Sequence, residues 1–135
     1  GDSEGPSPAP RPALTENQIR AEGFYQNALA AEREGRLYAA IRHDLRAQKV
    51  DAAHRKSATH LASLRRRMRP EIAALVESGR VYYQQEDLNN ALDQWRRVLL
   101  IDPGNVETRE YVSRAERLLE NLEQLRAGSS AVSSR

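Results

Sequence analysis

A chain of 135 residues with a formal net charge of +2, 30% charged residues and no cysteine has room for one modest domain. Without cysteine there are no disulfides, thiolate nucleophiles or zinc ribbons, and no run of about eighteen apolar residues exists to cross a membrane. Ala, Leu, Arg, Glu and Gln recur while β-branched and aromatic residues are sparse, which predicts an all-α protein.

Residues 1–13 (GDSEGPSPAPRPA) hold four of the six prolines and read as a disordered Pro/Ser-rich tether, too poor in apolar groups to offset the entropy of ordering. The chain opens at Gly1 without an initiator Met, as a processed form or a piece of a larger protein would. The folded part is expected over 14–126 and a disordered tail over 127–135. Thr15-Glu16-Asn17-Gln18 has the form of a capping box, and behind it Ile19, Phe24, Ala28, Leu29 and Ala31 recur at helical spacing. Gly35 supplies a left-handed stop. A second helix begins near Leu37 with Ile41 and Leu45 inward. A turn is placed at Val50-Asp51, with Asp51 capping a third helix whose inner stripe is Ser57, Leu61, Leu64 and Met68.

Pro70 either opens a new helix or kinks a long one running from about Ala52 to Gln85; with no turn residues beside it, the kinked helix is the expectation. Ile72, Leu75, Val76, Gly79, Tyr82 and Tyr83 then form a helix face, Glu86-Asp87 a polar turn, and Leu88, Ala91, Leu92, Trp95, Val98 and Leu99 the face of an antiparallel partner. Asp102-Pro103-Gly104-Asn105 breaks the chain before a last helix over 106–126.

Residues 72–103 resemble a tetratricopeptide repeat. Leu75 stands at its early apolar position, Gly79 at the close helix crossing, Tyr82 one turn on, Ala91 opposite the crossing, Trp95 at the bulky aromatic position and Asp102-Pro103 at the close; Val98 departs mildly from the usual alanine. A degenerate copy over 20–50 carries Phe24, Ala28, Ala31, Gly35 and Ala40, 51 residues before their counterparts, with Ala31 in place of the tyrosine and Asp44 in place of the aromatic. That offset exceeds the family's period by about one helix. The resemblance implies a tetratricopeptide-like α-α superhelix of antiparallel hairpins with a solvating C-terminal helix. It further implies a non-catalytic scaffold or adaptor that binds a peptide or helix of a partner protein. The groove residues it implies are Tyr25, Leu29 and Glu32 in the weak copy, Val76, Arg80 and Tyr83 in the strong one, and Glu110, Arg114 and Arg117 on the last helix. The family's Lys/Asn carboxylate clamp is not matched, since Val76 and Arg80 occupy those places. What remains is an aromatic-plus-arginine surface suited to apolar anchors and acidic groups.

Less specifically, the chain resembles bacterial envelope repeat proteins, many of them lipoproteins, which implies a periplasmic, membrane-anchored location; a linker within a cytoplasmic protein is the competing expectation. Catalytic chemistry finds no support in the motifs. His43, His54 and His60 lack the three- or four-residue separation of helical metal ligands and read as surface groups, and no phosphate loop or activated nucleophile is present. No catalytic residue, metal, cofactor or small-molecule substrate is therefore expected.

Charge is unevenly placed: Arg42 to Arg69 is strongly basic, and Glu71 to Arg126 is acidic. The basic segment 55–69, with Arg65, Arg66, Arg67 and Arg69 at its centre, points to nucleic acid as a rival partner. The patch has no interleaved aromatics for base stacking, and docking against acidic protein surface explains it better. The stripe Val112, Ala115, Leu118 or Leu119, Leu122 and Leu125 either packs on the preceding hairpin or serves a homodimer.

Overall fold

The computed structural model describes residues 5–6, 10 and 12–133. Six α-helices follow in order: α1 (Glu16–Arg33), α2 (Leu37–Val50), α3 (Arg55–Met68), α4 (Ile72–Gln84), α5 (Leu88–Ile101) and α6 (Val106–Ser133). A 3-10 turn, Arg69–Glu71, joins α3 to α4, and there is no strand among the described residues. The expected tether over 1–13 lies largely outside those residues, as does the end of the expected tail.

Local chemistry explains the helix ends. Thr15 Oγ1 accepts from the Gln18 amide at 3.1 Å, and the Thr15 amide donates to Gln18 Oε1 at 2.8 Å, so the capping box forms. Gly35 takes φ +77°, and Arg36 N–H donates to Ala31 O at 2.9 Å, closing α1. The end of α4 repeats that bonding: Asp87 N–H donates to Tyr82 O at 2.9 Å, but the left-handed residue is Glu86, at φ +63°. A non-glycine there costs about 1 kcal/mol, which the closed hairpin offsets.

Three expectations fail locally. Asp51 ends α2 rather than capping α3; the cap is His54, whose ring accepts from the Ser57 amide. The long helix over 52–85 is two helices joined by the 3-10 turn, because Pro70 lacks the N–H that an unbroken α-ladder needs. Ile19 is 59% exposed rather than inward. In addition, α6 runs to Ser133, past the Arg126 at which the pattern placed its end; no proline stops it.

The chain is two three-helix units in register. α2 and α5 are 14 residues each and start 51 apart, as do α3 and α6. The caps match too: Asp51 with Asp102, and His54 with Asn105, which accepts from the Thr108 amide at 3.0 Å. So does burial, pair by pair: Ala28 with Gly79, Ala40 with Ala91, Ile41 with Leu92, Ala47 with Val98, Ser57 with Thr108, Leu61 with Val112 and Leu64 with Ala115. In each unit the first two helices form a hairpin and the third packs on the second; contacts of α2 and α3 with α5 join the units. One core gathers Ala31, Ile41, Leu61, Leu64 and Met68, with Ile101 reaching in from α5. The other gathers Ala91, Leu92, Trp95, Val112 and Ala115.

Candidate functional site

The second core is built around one indole. Trp95 is 2% exposed, and its Nε1 donates to the Val76 carbonyl at 3.2 Å. A Cβ on Gly79 would overlap the indole, so the small residue is what lets α4 and α5 close on each other. Tyr111 from α6 stacks on Trp95 with ring centroids 5.1 Å apart, and Tyr83 from α4 lies tilted at 5.8 Å. Outside this trio a cavity of about 170 Å³ opens, lined by Arg80, Tyr83, Gln84, Trp95, Tyr111 and Arg114.

Of the groove residues expected from sequence, Arg80, Tyr83 and Arg114 therefore converge on one cavity. Glu110, Arg114 and Arg117 line a shallower hollow that shares Arg114 with it. Val76 lines neither; its carbonyl holds the indole. Arg80 pairs with Glu77 on its own exposed surface at 2.9 Å, an interaction worth little there. Arg114 makes no ion pair among the described residues. The Tyr111 hydroxyl donates to Glu107 at 2.6 Å, which raises the phenol's pKa and fixes the ring.

The first unit spends its expected site residues internally. His60 reaches Asp44 Oδ2 at 2.6 Å with Nδ1 and Glu32 Oε1 at 3.0 Å with Nε2. Glu32 also accepts from Arg67 at 2.7 Å. Tyr25 packs against the rings of His54 and His60, and Leu29 is half-buried. His54 bridges Ser57 and Glu22, each at 2.8 Å. The side chains of His54 and His60 are 11% exposed, so the expectation of surface histidines fails: both face α1 and meet its carboxylates. Serine, histidine and glutamate thus line up as in a hydrolytic triad, but Ser57 is fully buried and Gln48 donates to its hydroxyl at 2.6 Å. The hydroxyl that would attack is sealed in the helix cap. Burial raises the Asp44 pKa to about 6 against the pull of His60. The hydrogen bond from His60 lowers the Glu32 pKa, and the one from His54 lowers that of Glu22.

The basic patch divides. Arg65 donates from Nε to the Leu100 carbonyl at 2.9 Å, stitching α3 to α5, and burial lowers its pKa. Arg67 pairs with Glu32, leaving Arg66 and Arg69 beside a cavity of about 390 Å³ that also borders Asp102. On α6, Val112 and Ala115 are buried against the hairpin while Leu118, Leu122 and Leu125 are 39%, 39% and 69% exposed. Among the described residues no group of three His, Asp or Glu is placed to hold a metal, and no helix is long and apolar enough to cross a membrane.

Sequence reasoning passed over Tyr111 and Gln84 as cavity walls and the Glu32–His60–Asp44 bridge. The signals were present: Tyr111 lies one turn before Arg114, and Asp44 interrupts the apolar stripe of α2. No protein-family model matches the chain, and no curated protein matches it.

Proposed function

We propose that the chain is a tetratricopeptide-like scaffold of helix hairpins that holds a peptide or helix of a partner protein over α4 and α6. The observation that carries this reading is the convergence of Arg80, Tyr83 and Arg114, from two helices, on a cavity floored by aromatic rings. Its polar groups suit recognition: two guanidinium groups, an amide and two phenol rings, with no activated nucleophile among them. The test is a pulldown from native-host lysate with the parent chain and with Arg80, Tyr83 and Arg114 all changed to Ala. A partner retained by the parent and lost from the variant, with circular dichroism unchanged, is the expected result. A partner retained undiminished by the folded variant contradicts the site.

Nucleic acid is the second reading, favoured by Arg66 and Arg69, which make no ion pair among the described residues. Two of the four patch arginines are engaged within the chain, which leaves few phosphate contacts. In a gel-shift assay with random duplex and single strands near physiological salt, no tight complex is expected; tight binding that weakens steeply with salt contradicts the scaffold reading. A bacterial envelope location rests on the composition of residues 1–13 and is tested by the codons upstream of Gly1, where a lipobox cysteine is expected and its absence counts against the anchor.

A further inference from the structure

The cavity beneath Arg80 and Arg114 has a size and a lining that narrow its occupant. At about 170 Å³ it is close to the roughly 150 Å³ of an engineered apolar cavity that takes up benzene. Its floor and walls are the rings of Tyr83, Trp95 and Tyr111, which favour a fourth ring in offset or edge-to-face contact. Its rim is cationic. Arg114 is unpaired among the described residues, and Arg80 is held only by Glu77 at an exposed position. A carboxylate at that rim would gain a bidentate partner without breaking a buried bond.

The first unit differs at the equivalent place. Its counterpart positions carry Leu29, Glu32, Arg33, Asp44, His60 and Ser63, and there Glu32, Asp44 and His60 hydrogen-bond to one another where the second unit stacks aromatic rings.

The geometry points to a phenylalanine-sized aromatic side chain of the partner, inserted at the edge of the stack beside Tyr83, Trp95 and Tyr111, with an acidic residue next to it held by Arg114 and Arg80. This rests on the scaffold reading and names the chemistry its site selects. The probes are three blocked dipeptides: Ac-Phe-Asp-NH2, Ac-Phe-Asn-NH2 and Ac-Ala-Asp-NH2. Trp95 is the only tryptophan, so its indole N–H gives a single nitrogen–proton NMR peak, from a ring that lines the cavity. Ac-Phe-Asp-NH2 is expected to shift that peak saturably with one equivalent bound, Ac-Phe-Asn-NH2 about fivefold more weakly, and Ac-Ala-Asp-NH2 not at all. Arg114→Gln, an exposed change, is expected to bring the Asp peptide down to the Asn peptide. Equal affinity for the Asp and Asn peptides, an equal shift from the ringless peptide, or no shift from any of the three overturns the proposal. Such a failure alongside loss of the partner from the triple alanine variant leaves the scaffold reading standing with a different ligand chemistry; failure of both experiments removes both.

Discussion

Glu32, Asp44 and His60 in the first unit stand 51 residues before Tyr83, Trp95 and Tyr111 in the second, on helix pairs of which α2 and α5 start and end in register, α3 and α6 start in register and α1 and α4 end in register. One backbone plan thus carries a polar bridge in one unit and an aromatic stack in the other. The polar bridge ties α1, α2 and α3 together by directed bonds and leaves Asp44 Oδ1 buried without a partner. The aromatic stack fills space by contact and leaves a cavity at its edge. A shared helix register fixes neither the electrostatics of a seam nor whether it is open: two or three side chains decide both.

The largest expected effect comes from breaking the bridge. His60→Ala removes the ring shared by two carboxylates, one fully buried, and is expected to cost about 4 kcal/mol at neutral pH in denaturant unfolding. Asp44→Leu combined with His60→Leu is expected to recover most of that loss, since an apolar pair carries no desolvated charge. If His60→Ala melts with the parent, the bridge contributes nothing.

In the second unit the corresponding break is steric. Gly79→Leu drives a side chain into the indole and is expected to cost roughly 3 kcal/mol, read as a lowered thermal midpoint. A midpoint within error of the parent would mean that α4 and α5 do not close on Trp95.

The units also differ in how they answer pH. Asp44 holds its proton up to about pH 6, above the ordinary value of 3.8, so its contribution to stability is full below about pH 4 and is lost as pH rises through 6. Glu22 and Glu32 act in the opposite sense: their lowered pKa values give stability that is present above the ordinary 4.5 and lost as pH falls below it. Asp44→Asn removes the titrating carboxyl behind the first component. Its stability relative to the parent is expected to rise between pH 4 and 7 by up to roughly 3 kcal/mol. A difference that stays flat over that range would contradict the raised pKa.

Much of this fold was legible in the sequence. The capping box, Gly35 and the burial of Gly79, Ala91 and Trp95 were written in short-range spacing, whereas the pairing of Phe24 with Leu75 came from the family resemblance. The 51-residue offset was visible, but the third helix of each unit was not legible as part of the repeat. α3 and α6 share a pattern of burial and a side-chain cap, yet Leu64 corresponds to Ala115 and His60 to Tyr111, so sequence likeness is lost where shape is kept. The histidines were misplaced for a related reason. Their partners Glu32 and Glu22 lie 28 and 32 residues away, a distance that helical periodicity cannot span. At the cavity, Arg80, Tyr83 and Arg114 came from family resemblance, whereas Tyr111 and Gln84 needed the fold.

The smallest expected contrast concerns one atom in each cap. Thr108 Oγ1 is buried without a partner, whereas its counterpart Ser57 Oγ bonds to Gln48 and His54. Thr108→Val is expected to stabilise by about 1 kcal/mol and Ser57→Ala to destabilise by a similar amount, both read in thermal melts. Effects of the same sign would show that the two hydroxyls stand in equivalent surroundings.

The open aromatic seam, not the closed polar one, is where a partner is expected to bind. The most direct measurement is hydrogen–deuterium exchange of the chain with and without the retained partner. Slowed exchange is expected over Arg80–Gln84 of α4 and Tyr111–Arg117 of α6, with α1 and α3 unchanged. Slowing centred on Arg66–Arg69, or on α1 around Tyr25–Glu32, would contradict it.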